Sequence, residues 1–323
     1  MSGERDVWRG TLELLAALWL HEPDAATIAR VQRELGLPGA EPADLAIAYV
    51  DLLLNSVYPY GTSFTDAWGE INTPEAERMY DWFAQHDFDS PALREVGAPD
   101  HIGVCLQFLA HTLDAPCVPF NTQLMRWAPA LCIAVEREPG AHPFYKALAE
   151  RTRATLLRMG LTVDRRLLEE SRFDVTLPPL SSLPADWLAG GFIPIVADEG
   201  EAQEVRLKDI VRFLLIAERS GMFLSRARLG FLANGLGIRL PFLPRFDLGE
   251  LLFVSAGEAG HFDNLVELLR TEIAGWQAAY ADVARTWPTW SDYAALWQVR
   301  LANSAALLEG MRQIMETNPI EEA

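Results

Sequence analysis

Residues 100–135 read DHIGVCLQFLAHTLDAPCVPFNTQLMRWAPALCIAV, and the fold class follows from this stretch. Apolar residues recur three and four apart, at Ile102, Leu106, Leu109 and Leu113, then at Leu124, Ala128, Leu131 and Val135. That period puts them on one side of a helix, whereas a half-buried strand would alternate at every second residue. Asp100 before the first stripe and Asn121 before the second carry side chains that suit helix starts. Helices with one apolar face need other helices to cover them, so the spacing predicts an all-α fold.

The same period extends in both directions. Asp24 precedes a helix holding Ile28, Val31 and Leu35 and ended by Gly36, and Pro42 suits the first turn of the next, which runs through Leu45, Tyr49 and Leu52. Thr73 and Pro74 open a helix with Met79, Trp82 and Phe83, and a further helix runs from Pro143 towards Gly160. Two irregular stretches separate these elements, Ser56 to Thr73 and Phe88 to Pro99. The first contains Tyr58, Tyr60, Phe64 and Trp68, too aromatic for a solvated loop, so it must cover either the core or a ligand.

Beyond Gly160 the pattern changes. Pro178, Pro179, Pro184, Gly190, Gly191 and Pro194 break any long helix, so the region reads as a connection. A hairpin from Phe192 to Leu207, turning near Asp198 and Gly200, is the lesser alternative for its end. Helical periodicity returns at Ile210, Phe213, Leu214 and Ala217, then at Leu229, Leu232 and Leu236 behind Ser225. The clearest helices come last, carrying Leu265, Leu269, Ile273, Trp276 and Tyr280, then Trp297, Leu301, Leu308 and Met311. With 323 residues the chain accommodates two domains, expected at 1–165 and 206–323 around a connection at 166–205.

Half of the residues are apolar and 10% aromatic, ample for packed cores. The net charge of −18 is similar in both halves, with 12 basic and 22 acidic groups in residues 1–160 against 15 and 23 in residues 161–323. Such a surface repels phosphate backbones, attracts basic peptides and speaks against nucleic acid as a partner. The longest apolar run, Leu14 to Leu20, is far short of the about 20 residues that cross a bilayer. The charges at Glu4, Arg5, Asp6 and Arg9 make a poor secretory signal, so a cytoplasmic location is expected. Cys105, Cys117 and Cys132 lie far apart beside apolar stripes and read as small buried hydrophobes. The sequence has no Gly-rich phosphate loop, His-Glu-x-x-His or Cys-x-x-Cys, so no cofactor or metal is expected.

Four short pieces occur in a definite order: Pro59-Tyr60-Gly61-Thr62, Pro99-Asp100-His101-Ile102-Gly103, Trp127-Ala128-Pro129, and His142-Pro143-Phe144-Tyr145 followed by Leu148-Ala149. Together they resemble the TorD/DmsD/NarJ family of molybdoenzyme maturation chaperones, with Pro-Tyr-Gly-Thr nearest the DmsD branch. The resemblance covers about residues 40–160 and implies a helical, non-enzymatic, cytoplasmic chaperone. Its implied partner is an immature molybdopterin oxidoreductase, bound at its N-terminal or twin-arginine signal region until cofactor insertion is complete. The resemblance also implies a client-binding surface of Pro59, Tyr60 and Gly61 in the aromatic loop and of Pro99, Asp100 and His101 at the helix start, and Trp68 of the same aromatic loop is a further candidate for that surface. Gly61 and Thr62 stand where many relatives have an acidic residue followed by Ser. The residues after 160 have no counterpart in the short chaperones, and their role is left open, as is the choice between monomer and homodimer.

Read on their own, these residues allow other roles. Asp100 suits a helix cap, Tyr60 and Trp68 suit a core, and His101 in the first turn is kept neutral by the positive helix end. An enzyme would use Asp100, His101, His111 and His142 as metal ligands or acid–base groups, but His101 and His111 point about 80° apart on one helix. A helical protein–protein scaffold without signal recognition would instead use aromatics such as Trp287 and Trp290, unless these close the helical core.

Overall fold

The computed structural model describes residues 2–67, 69, 73–164, 166–167, 192–196 and 202–317. The chain forms two compact units, Met1–Arg172 with Trp287–Tyr293, and Phe173–Thr286 with Ala294–Ala323. Helices build both, as the apolar spacing implies, and a single two-stranded hairpin is the exception among the described residues.

The first unit opens with α1 (Ser2–Leu20), and the apolar run Leu14 to Leu20 forms its second half. Trp19 is fully buried and its indole N–H donates to Thr152 Oγ1 at 3.0 Å. The carbonyls of Trp19 and Leu20 accept the hydroxyl of Tyr49, at 3.1 and 2.9 Å. Asp24 caps α2 (Ala25–Leu35) by accepting the Thr27 N–H, and Gly36 ends it in the left-handed conformation, φ 71°. Next, α3 (Pro42–Tyr49) runs into one π turn, Val50–Leu54. The stretches expected to be irregular contain two short helices, α4 (Thr62–Thr65) and α6 (Pro91–Val96), on either side of α5 (Pro74–Gln85). Pro91 supplies a preorganised first turn for α6 and Gly97 its left-handed end, a start and stop too closely spaced to show as a period.

Three helices complete the unit: α7 (Ile102–His111), α8 (Val118–Arg137) and α9 (Pro143–Arg158). α7 lies against α1, and Gly103 permits the approach, since a Cβ there would sit 2.5 Å from Leu20 Cγ and 3.0 Å from the Ala16 carbonyl. Phe108 of α7 centres an aromatic cluster, with ring centroids 4.7 Å from Phe83, 5.2 Å from Phe88 and 4.6 Å from Phe120. Arg153 of α9 pairs through two hydrogen bonds with Glu136 of α8, at 3.0 and 2.8 Å. Tyr145 donates to the Leu45 carbonyl at 3.0 Å, tying α9 to α3.

α8 begins earlier than its expected cap. Asn121 lies inside the helix, where its Nδ2 donates to the Thr162 carbonyl at 3.3 Å. The helix continues through Pro129, whose nitrogen cannot donate to the Met125 carbonyl four residues back. The indole N–H of Trp290 supplies that missing bond at 2.9 Å, and Trp290 is fully buried. Trp290 therefore belongs to a core and not to an exposed scaffold interface, while Trp287 is half-buried with Arg158 over its ring at 5.9 Å.

The second unit contains β1 (Phe192–Val196) antiparallel to β2 (Ala202–Arg206), with Phe192 opposite Arg206 and Val196 opposite Ala202. The hairpin read as a lesser alternative is thus formed, and its expected turn at Asp198 and Gly200 lies outside the described residues. So do the breakers from Pro178 to Gly191. Helices α10 (Leu207–Leu215) and α11 (Ala217–Ser220) follow, then α12 (Arg226–Gly235), α13 (Arg245–Glu258), α14 (Phe262–Thr286) and α15 (Ser291–Thr317). Ser225 caps α12 by accepting the Arg228 N–H. Gly221, φ 80°, lets α15 come close, since a Cβ would meet the Trp297 carbonyl and the Leu301 nitrogen at 2.8 Å. The Tyr280 hydroxyl donates to the Gly221 carbonyl at 3.0 Å and its ring stacks on Trp297. A buried pair, Arg300 with Glu218, joins α15 to α11.

Candidate functional site

The aromatic loop and the start of α7 meet at one isolated bridge, with Tyr60 paired antiparallel to His101. The Gly61 N–H donates to the Asp100 carbonyl at 3.0 Å, and the Ile102 N–H donates to the Pro59 carbonyl at 2.8 Å. Pro59, Gly61, Pro99, Asp100 and His101 are therefore one cluster, although some 40 residues separate the two strings. Trp68 lies outside the described residues.

Asp100 is 1% exposed and does not cap α7. One of its oxygens, Oδ2, accepts both the backbone N–H and the hydroxyl of Thr62 at 2.7 Å, fixing the loop at the start of α4. The cap is His101, whose Nδ1 accepts the Gly103 N–H at 3.1 Å. That bond requires an unprotonated Nδ1, and burial, with His21 adding to it, holds the imidazole neutral by lowering its pKa to about 3. Burial pushes the Asp100 carboxyl the other way, above the usual carboxylate range, against the lowering effect of the Thr62 bonds. The Tyr60 ring meets His101 edge-on at 5.1 Å, and its hydroxyl donates to the Val96 carbonyl at 3.1 Å.

Two further residues complete the cluster. Trp127 packs on Gly61, where a Cβ would lie 2.7 Å from the indole, so the glycine gives room to the Trp of Trp-Ala-Pro. Thr62 supplies the bonds that hold Asp100. Both stand in the four quoted pieces, but neither residue type announces such a contact. Asp100 Oδ1 and Trp127 Nε1 are buried with no hydrogen-bond partner among the described residues, and both residues line a crevice with Gln123 and Met79 that is too narrow for water.

The histidines of an enzymatic reading have separate structural tasks. His142 caps α9 through the Phe144 N–H, His101 caps α7, and a ring nitrogen of His111 bonds the His86 carbonyl. Among the described residues no group of three or more His, Cys, Asp or Glu side chains could hold a metal ion. Burial raises the pKa of all three cysteine thiols, which keeps them protonated and poorly reactive.

Comparison with known proteins bears on the segment that carries this cluster. Residues 20–118 match the family model described as nitrate reductase delta subunit. That family is one of molybdoenzyme maturation chaperones, and the match supports it for the segment covered, less than a third of the chain. The segment runs from the end of α1 to the start of α8 and includes both sides of the bridge. No curated protein and no solved structure matches the chain. Among the described residues, no helix is long and apolar enough to cross a membrane.

Proposed function

We propose that the chain is a cytoplasmic chaperone, nearest the DmsD branch, that binds an immature molybdopterin oxidoreductase through its N-terminal or twin-arginine signal region. It then assists cofactor insertion before assembly or export, without chemistry of its own. The observation that carries this reading is the Tyr60–His101 bridge, which unites the two motif pieces inside the segment matching the chaperone family. In this reading Pro59, Tyr60, Gly61 and Trp68, with Pro99, Asp100 and His101, make up the client site. Pro59, Gly61, Pro99, Asp100 and His101 are buried, so they act as positioning residues that hold the loop, while half-buried Tyr60 presents an edge to a client. A loop held by backbone bonds presents fixed groups and loses little freedom on binding.

The test is affinity capture from the source cell with the whole chain as bait. Retention of a molybdopterin oxidoreductase precursor is expected, and its loss when Asp100→Ala and His101→Ala are combined. A folded bait that retains no such enzyme contradicts the reading.

A further inference from the structure

The similar charge of the two halves hides a sharp local contrast. Residues 206–245 carry eight basic groups and two acidic ones, in a chain whose other residues hold 19 basic and 43 acidic groups. Lys208 and Arg212 stand on α10, Arg226 begins α12, Arg239 follows it and Arg245 begins α13 of the second unit. Lys208 and Arg212 are exposed one turn apart on α10, so they share a face. Arg212 and Arg245 lie over the Phe246 ring at 5.5 and 4.8 Å, and Arg245 also donates to the Leu215 and Leu224 carbonyls. Two residues after Leu224, Arg226 lies over the Phe242 ring at 3.9 Å. Phe242 is 81% exposed in the connection between α12 and α13, which also carries exposed Arg239.

Among the described residues, none of Lys208, Arg212, Arg226 and Arg239 pairs with a carboxylate, although acidic groups are abundant elsewhere. A guanidinium laid on a ring is held in place by the ring face, while its N–H edges stay free for a bidentate acceptor. Phe242 holds Arg226 on its ring yet stays 81% exposed, and Arg with aromatic residues is the composition of interface anchors.

We infer that this face of the second unit docks a protein segment that carries carboxylates interleaved with apolar side chains. Charge complementarity selects the occupant: the carboxylates meet Lys208, Arg212, Arg226 and Arg239 while an apolar side chain covers Phe242. An anionic membrane or a nucleic acid is broad and would also have to meet the exposed Asp247 that adjoins the patch, whereas a narrow peptide strand avoids it. The inference does not depend on the client site of the first unit, and it gives the residues after 206 a role of their own.

The test uses the whole chain and a fluorescent peptide in which Glu alternates with Phe and Leu, read by anisotropy. Binding is expected to weaken at least about tenfold between low and high salt. It should fall by a similar factor in Arg212→Glu/Arg226→Glu/Arg239→Glu and by several-fold in Phe242→Ala, and be absent for a peptide with Lys in place of Glu. Circular dichroism checks the fold of the triple variant. Should that variant not fold, Lys208→Glu/Arg239→Glu, at two exposed positions, gives the same comparison. The inference is overturned if the Glu peptide does not bind, or binds folded variants as well as the original chain. It is also overturned if the patch acts only on phosphatidylserine vesicles or duplex DNA, or if its charge reversal abolishes only self-association of the chain.

Discussion

At the scale of single residues, Asp100 and His101 show why a motif can be read correctly and its mechanics missed. Asp-His before an apolar stripe reads as an Asp cap, because Asp is among the best N-caps. The structure gives the cap to His101, since Asp100 is drawn back to Thr62, a contact across 38 residues that local spacing cannot reveal. The two groups respond to pH in opposite senses. His101 has its pKa lowered from 6.5 to about 3 in the fold, so its contribution to stability is complete above about pH 6.5 and is lost as pH falls towards 3. Asp100 has its pKa raised, so its contribution is greatest in acid and is lost as pH rises beyond the usual carboxylate range. His101→Asn keeps a capping side chain that does not titrate, and it should flatten the fall in melting temperature between pH 7 and pH 5. Thermal melts at the two pH values measure this; an unchanged fall would place the acid-sensitive group elsewhere. Gly61→Ala is a second residue-scale case. The added methyl would lie 2.7 Å from the Trp127 ring, and overpacking of this kind costs about 1–3 kcal/mol in urea unfolding.

At the scale of elements, apolar periodicity exposes long helices and hides short ones. α7, α8 and α14 each repeat their stripe over several turns, whereas α4 and α6 span 4 and 6 residues, too few for a period. The interior Pro129 of α8 is visible in the sequence, but the donor that compensates for it stands 165 residues away from Met125. Trp290→Phe leaves the Met125 carbonyl buried without its partner and should cost about 1–3 kcal/mol. Combining it with Pro129→Ala restores an N–H at position 129 and should recover part of that loss. A double-mutant cycle by chemical denaturation reads the coupling directly. Strictly additive losses would mean that Trp290 contributes through its ring and not its N–H.

At the scale of the whole molecule, the sequence conveys an all-α chain with a change of character after Gly160, and its local chemistry conveys the motif pieces. It does not convey that Trp287–Tyr293 joins the first unit, because that membership rests on one indole and one proline far apart in the chain. We propose that the two domains separate near residues 166–205, and limited proteolysis is expected to cut there first. A recombinant 1–172 fragment lacks Trp290 and should melt several degrees below the same unit in the intact chain, at about 2–4 °C per kcal/mol for a domain of this size.

Client recognition by the first unit is best tested by titrating the whole chain with a twin-arginine signal peptide of a molybdopterin oxidoreductase. The comparison is between the unaltered chain, Asp100→Ala/His101→Ala and Asp24→Ala, which removes the cap of α2 and costs roughly 0.5–2 kcal/mol of stability without touching the bridge. Saturable binding is expected for the unaltered chain and for Asp24→Ala, together with a loss of about tenfold or more, equivalent to 1.4 kcal/mol, for the folded double variant. No binding by the unaltered chain, or equal binding by all three, would contradict a client site built on the Tyr60–His101 bridge.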